Sequence, residues 1–530
     1  VPYSTDFQQS PPPHAMCIAG RQWVTLKVAE KTLGVAMHVS EYYNLGRLQP
    51  TLDFVDVDTV MDTPVYIDPG NLKKLSDDWA VQCAEMLGTF FDSVVQSLSM
   101  GDDRRVRELL VRLQEPNETH FGLSKGKSRG RALGPDLVNK ICRNLHASRA
   151  ARSGLLEDLE DTALFIKNIG RDIVSDITTC VIRGMLTSYT QSMAKMHDIP
   201  LVDEVYSGLA WDPVRREWDD SPTSLPVADG KPLLLVPKVI VRYDLLATKQ
   251  DFFRNHLAPA ILADESDRPT GKLVRAAKDA VRELKQKSAE GADEEPEVDL
   301  VELAEERVEV FRAYKDEKRA KPIKPLTHAQ LSKVTGTDPV DFDELLDNVL
   351  KIPPGSQHAS RCHDAIEALF TALFYPALTN PVKEHPVDDG RKRVDITYTN
   401  RDRRGFFDWL TRQGYLCPYV FFECKNYSSD LGNPELDQIC GRFTPLRGKV
   451  GIIICRSFVE KGRFLQRCRD AARGHRGYVL FLDDGDLRLL VDEVKKALGP
   501  RLGPDGRVVR NKPKPAEFRL LHEKFRDLVS

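Results

Sequence analysis

The spacing of apolar positions changes twice along the chain. From about 21 to 75 the runs are short and strand-like. Trp23-Val24-Thr25-Leu26, Phe54-Val55-Asp56-Val57 and Val65-Tyr66-Ile67 are rich in strand-favouring residues and bounded by turn formers. From about 76 to 200 the period becomes helical. Trp79, Cys83, Met86, Leu87, Phe90 and Phe91 recur at helix spacing behind Ser76-Asp77, which can cap the first turn. Further helices are predicted near 103–113, 135–149, 156–167 and 171–195. Leu233 to Val241 predicts a buried strand, and a helix follows near 248–262. The stretch 264–320 is charged, with an acidic, turn-prone middle at Ala289 to Pro296. It predicts a linker or a projecting, solvated helical hairpin. A short helix near 339–351 is capped by Asp338, and Pro353-Pro354-Gly355 then breaks the chain. A domain boundary is expected between about 325 and 356.

Beyond that break, helices and apolar strands alternate. Helices are predicted at 358–376 and 403–413, from Asn433 to about 446, at 457–473 and at 486–498. Ser457 and Glu460 are spaced as a capping box, and Gly474 stops that helix. Strands are predicted at 383–387, 391–399, 418–427, 450–455 and 478–482. Asp388-Asp389-Gly390 forms the turn between the first two. Such alternation implies a sheet flanked by helices. A short amphipathic helix near 515–528 ends the chain.

Composition adds an asymmetry. The 530 residues suggest two to four domains, and 41% hydrophobic with 29% charged residues excludes wholesale disorder. The net charge is only -3. Residues 351–530 carry 32 basic against 23 acidic side chains, while the rest carries 44 against 56. A basic C-terminal third on an acidic remainder suits a polyanion-facing module joined to something else. None of the ten cysteines forms a Cys-x-x-Cys pair or a zinc-finger spacing, so reduced thiols are expected. No apolar run approaches the roughly 20 residues of a membrane span. The first residues show no basic-then-apolar leader, so a cytoplasmic protein without a membrane partner is expected.

The candidate chemistry lies in the C-terminal part. In Tyr419-Val-Phe-Phe-Glu-Cys-Lys-Asn-Tyr427, Glu423 and Lys425 interrupt an apolar strand and point to one face. Buried charges of this kind are costly unless paired or bound to something. On Arg393-Val-Asp-Ile-Thr-Tyr398, Asp395 faces away from Val394, Ile396 and Tyr398. A neighbouring strand can bring it beside Glu423, and two close carboxylates favour a divalent cation between them. Hard oxygen ligands at a sheet edge suit Mg²⁺. Lys425 can orient or help deprotonate water and neutralise a phosphate. Glu367, at the margin of the apolar stripe of helix 358–376, can reach the same place.

These residues resemble the PD-(D/E)xK nuclease superfamily, with its restriction-endonuclease-like fold. Its core order of helix, three strands, helix and strand matches 358 to 455. Its acidic residue on the second strand falls on Asp395, its Glu-x-Lys strand on Glu423, Cys424 and Lys425, and its first-helix Glu on Glu367. Gln438 stands where many members carry a Gln. The sequence departs from the pattern at the proline, since Val394 precedes the aspartate. The resemblance covers roughly 358 to 498. It implies Mg²⁺-dependent phosphodiester hydrolysis, with Mn²⁺ as a substitute ion. Asp395, Glu423, the Cys424 carbonyl and Glu367 would be ligands. Lys425 would serve the attacking water, and Gln438 would position Lys425 or touch the phosphate. The architecture is similar to that of prokaryotic restriction or anti-phage defence effectors, which expects DNA as partner and a homo-oligomer, dimer or tetramer.

Other features are weaker. Gly122 and Gly126 enclose three residues where a Walker A loop needs four, which excludes that nucleotide site. Lys125, Lys127 and Arg129 instead suit contacts to a nucleic-acid backbone, as do Arg401, Arg403 and Arg404 between the two candidate strands. His363 reads as a helix-face histidine. The expected organisation is an α+β N-terminal sensing, binding or oligomerisation region at 1–263 and a charged helical linker at 264–355. An α/β restriction-endonuclease-like domain at 356–500, a mixed sheet flanked by helices, and a basic tail at 501–530 complete it. The rival expectations are a non-enzymatic nucleic-acid-binding or scaffold protein that inherited a nuclease fold, and an RNase using the same residues.

Overall fold

In the computed structural model the apolar positions sort into two cores. The structure describes residues 36–264 and 300–530, apart from 114–115, 123–134, 149, 151–154, 167–168, 246, 323, 388–391, 428, 500, 503–507 and 510–515. The first core runs from Val39 to Leu331 and the second from Phe342 to Leu528. The chain passes from one to the other between Leu331 and Phe342.

The first core is mainly helical. Asp77 caps the long helix Asp78–Ser99 by accepting from Ala80 N, and the helix buries Cys83, Met86, Leu87, Phe90 and Phe91. The predicted 171–195 helix is two helices, Arg171–Val181 and Arg183–Met196. Two strand predictions do not hold as written. Phe54 makes only an isolated bridge to Pro237, and the 233–241 run is buried irregular chain leading into a short 3-10 turn at Lys238–Ile240. Small hairpins between Val202 and Pro232 have no counterpart among the predicted elements. Their strands have two to four residues, too short for an alternation to register.

The described part of the charged stretch is no solvated hairpin. The helix Val308–Ala320 buries Phe311, Tyr314 and Lys315, and His328–Thr335 buries Leu331. Lys315 is reconciled with burial by the carboxylates of Asp161, at 2.8 Å, and of Asp158 and Glu157, both at 3.0 Å. This stretch therefore belongs to the first core.

The second core surrounds a five-stranded mixed sheet. Its elements are α1 (Phe342–Leu350), α2 (Ala359–Leu373), β1 (Leu378–Val387), β2 (Lys392–Asn400), α3 (Phe406–Arg412), β3 (Tyr419–Lys425), α4 (Asn433–Cys440), β4 (Val450–Cys455), α5 (Lys461–Arg473), β5 (Tyr478–Leu482), α6 (Asp484–Leu498) and α7 (Arg519–Val529). The strand order is β5-β4-β3-β2-β1. β1, β2 and β3 pair antiparallel, and β3, β4 and β5 parallel. The two parallel steps cross over through α4 and α5, as parallel strands require. The Asp388–Gly390 turn lies outside the described residues.

Three termini differ from expectation. α1 is capped not by Asp338 but by Asp341, which accepts from Asp343 N and Glu344 N. Ser457 does not cap α5, whose N-cap residue is Glu460 and whose first turn has no side-chain cap; Asp430 instead accepts from Val459 N at 2.6 Å and Glu460 N at 2.8 Å, just ahead of the helix. The C-terminal helix is no tail. α7 buries Leu521, Phe525 and Leu528, with Phe525 against Trp409, Tyr415 and Tyr478. The cysteines among the described residues are buried thiols. Among the described residues no helix is long and apolar enough to cross a membrane.

Candidate active site

β3 is covered on both faces. α2 lies on the Phe422 side, where Phe370 packs 5.1 Å from its ring, and Phe443 following α4 lies on the Phe421 side at 5.6 Å. Alternation puts Glu423 and Lys425 on the Phe421 side, toward α4. Gly451 on β4 lets α4 come down close, since an added Cβ there would meet Ile439 at 2.5 Å. That close approach brings Gln438 and Arg442 over Glu423.

The decisive local feature is a parting of strands. β2 pairs with β3 from Thr399↔Tyr419 to Ile396↔Phe422, and the ladder stops there. β2 continues beside β1, to Val394↔His385 and beyond, while β3 continues beside β4 to Lys425↔Cys455. One more step of the lost register would set Asp395 opposite Glu423. Instead Asp395 enters the opening, and its Oδ2 accepts from Cys424 N at 2.9 Å. From the α2 side, His363 Nε2 lies 3.1 Å from the Cys424 carbonyl oxygen and 3.9 Å from Asp395 Oδ2.

Glu423 is fully buried and flanked by two cations. Lys425 Nζ donates to its Oε2 at 3.1 Å and to Gln438 Oε1 at 3.1 Å. Arg442 Nη1 is 3.0 Å from its Oε1, but that nitrogen is aimed at the Gln438 carbonyl oxygen, 2.6 Å away. Oε1 is thus held by charge without a directed hydrogen bond. Burial first, and the Asp395 charge second, push the Glu423 carboxyl above its ordinary range, while Lys425 and Arg442 pull it back.

The structure therefore brings together Asp395, Glu423, Cys424, Lys425 and Gln438. It adds Arg442 and His363, which the sequence reading passed over or set aside. Arg442 had no signal beyond lying one helical turn after Gln438. His363 lies one turn before Glu367, and that spacing was its only hint.

Glu367 has other partners. It is fully buried, and its carboxylate accepts from Arg47 Nη2 at 2.6 Å and Thr371 Oγ1 at 2.8 Å, with Lys383 Nζ 3.9 Å away. The expectation that it joins the ligand set is corrected on this point: its charge is already matched by a residue of the first core. Arg401 is corrected too. Arg401 donates to both oxygens of Asp77 at 2.8 Å, with the Arg401 side chain only 4% exposed. Arg403 donates to the Lys74 carbonyl oxygen at 2.9 Å and Ser76 Oγ at 3.0 Å. Arg401 is buried in the contact with the first core and does not face a nucleic acid, while Arg403 reaches the same segment but stays exposed. Arg404 stays exposed. Lys125, Lys127 and Arg129 lie outside the described residues.

Among the described residues no three His, Cys, Asp or Glu side chains cluster as a ready metal cage. The donor set nevertheless fits the implied Mg²⁺. That ion takes oxygen ligands, commonly one or two carboxylates with water completing the shell. Asp395, the unbonded Oε1 of Glu423 and the Cys424 carbonyl are such oxygens.

Residues 44–248 match the model of a domain of unknown function (DUF8370). That segment lies in the first core and ends well before the site. No curated protein and no solved structure matches the chain.

Proposed function

We propose that the C-terminal domain is a metal-dependent endonuclease of the restriction-endonuclease-like type, hydrolysing DNA phosphodiester bonds, and that the chain is a prokaryotic restriction or anti-phage defence effector. The observation carrying this reading is the meeting of Asp395, Glu423 and Lys425 where β2 and β3 part, on a fold whose helix and strand order suits that class. Asp395, Glu423 and the Cys424 carbonyl would hold Mg²⁺ or Mn²⁺, which when bound polarises a phosphoryl oxygen and acidifies water.

The chain's own residues divide the remaining work. The bond from Cys424 N fixes the Asp395 carboxylate at the mouth of the opening. Gln438 Oε1 and Glu423 Oε2 hold Lys425 Nζ from two sides, so its ammonium is set to orient a nucleophilic water and offset charge on the phosphate. His363 steadies the carbonyl end of the Cys424 peptide.

Plasmid cutting in Mg²⁺ by the whole chain tests this, with RNA and single-stranded DNA run alongside. The expected result is DNA cleavage that falls by at least about a hundredfold in Lys425→Ala and Asp395→Ala, the loss expected when an electrostatic or acid–base group is removed. Equal cleavage in both variants would exclude this site, preferential RNA cutting would reassign the substrate, and no cleavage of any substrate would favour a binding protein that inherited the fold.

A further inference from the structure

Arg442 gives the site a charge balance that its chemistry does not require. When both are ionised, Asp395 and Glu423 contribute two negative charges, and Lys425 returns one. Arg442 returns the second. Its side chain is 7% exposed, and Nη1 sits between Glu423 Oε1 and the Gln438 carbonyl oxygen. Its Nε is buried without a partner. The guanidinium is therefore anchored by a backbone oxygen of α4 and lies against the one Glu423 oxygen that has no directed bond.

We propose that Arg442 is a positioning residue that sets the cation affinity of the site: by neutralising Glu423 in the free protein, it keeps divalent-cation binding weak until a phosphodiester supplies the missing negative charge. This rests on the nuclease reading above. A doubly charged ion entering a group of zero net charge gains little from it; with a phosphate present the group becomes net negative, and Arg442 has a second anion to serve. A purely structural ion pair predicts the opposite outcome on mutation. Removing the arginine would then leave a buried carboxylate uncompensated, disturb the fold and weaken binding.

The test is Mn²⁺ binding to the whole chain, followed by electron paramagnetic resonance. It is run with and without a short phosphorothioate-linked DNA duplex, with ion bound to duplex alone subtracted. Wild type should bind Mn²⁺ weakly alone and more tightly with duplex. Arg442→Gln should tighten duplex-free binding by roughly tenfold or more, since one unit charge has left the ion's immediate surroundings. Arg442→Lys should behave as wild type. Folding of each variant is checked by circular dichroism.

Unchanged or weaker Mn²⁺ binding by a folded Arg442→Gln chain overturns the proposal. If that variant does not fold, wild type decides, and equal affinity with and without duplex overturns it. Asp395→Asn separates the two readings. If it binds Mn²⁺ as wild type does, the cation site and the nuclease reading fail together. If it loses Mn²⁺ while Arg442→Gln binds like wild type, only the role of Arg442 fails.

Discussion

Single residues illustrate how far local chemistry can be read without neighbours. Glu423 and Lys425 stand out because charges interrupt an apolar strand, and burial forces such groups to find partners. Asp395 stands out by alternation. Arg401 and Glu367 carry the same kind of signal, yet their partners, Asp77 and Arg47, lie more than 300 positions away. No short-range pattern distinguishes a charge kept for a ligand from a charge kept for a distant segment of the same chain. The distinction is testable at Arg401. Breaking a buried bidentate pair by removing one partner costs about 3–5 kcal/mol. Arg401→Ala should lower the unfolding free energy by an amount in that range and leave DNA affinity under native conditions unchanged. A weakened DNA affinity with unchanged denaturant midpoint would restore the arginine to the nucleic-acid surface.

At the scale of elements, the C-terminal half was legible because each strand is a short apolar run between helices of clear period. The five predicted strands and the helices between them recur with shifts of a few residues at their ends. The opening between β2 and β3 was not legible. It depends on two neighbouring strands choosing different partners past Ile396 and Phe422, a property of the sheet and not of either strand. The start of α5 differs for a similar reason. Asp430, some 30 residues earlier, takes the two amides just ahead of the helix. α7 was predicted as a helix, but its role was missed because an amphipathic segment does not announce what its apolar face covers. Phe525 closes over Trp409, Tyr415 and Tyr478. Phe525→Ala should cost about 3–5 kcal/mol, as for buried aromatic truncations generally. Chemical denaturation measures it, and a loss below about 1 kcal/mol would mean that α7 is not part of the second core.

Over the whole molecule, the two cores are tied by contacts that bear on the candidate site. Arg47 holds Glu367 on α2, and Arg401 ties the end of β2 to Asp77. His328 Nε2 lies 2.9 Å from the Ala372 carbonyl oxygen of α2. His328, together with buried groups inside the first core, also bears on the response to acid. Burial, with repulsion from Lys238, lowers the His328 imidazole to about 3. Burial, with repulsion from Lys231, lowers His120 to about 4. Both folded values lie below the unfolded one, so the stability they contribute is complete above about pH 6.5 and is lost as pH falls from there. Asp161 acts in the opposite sense. Burial raises its carboxyl to about 6, so acid relieves it between about pH 6 and 4. Burial lowers His197 to about 3 as well, and these three histidines outweigh the raised carboxyls of Asp161 and Glu423, so the melting temperature should fall between pH 7 and pH 4.5. Each histidine contributes at most about 1.4 kcal/mol per pH unit. His328→Gln should flatten that dependence, and thermal melts across the range would show it. An unchanged slope would remove His328 from the account.

The most direct measurement is anomalous scattering from crystals of the whole chain grown with Mn²⁺. The account predicts one peak at the mouth between β2 and β3, within ligand distance of the Asp395 carboxylate, Glu423 Oε1 and the Cys424 carbonyl oxygen, with Lys425 Nζ beside it. A peak elsewhere, or none at saturating Mn²⁺ with duplex bound, would contradict it.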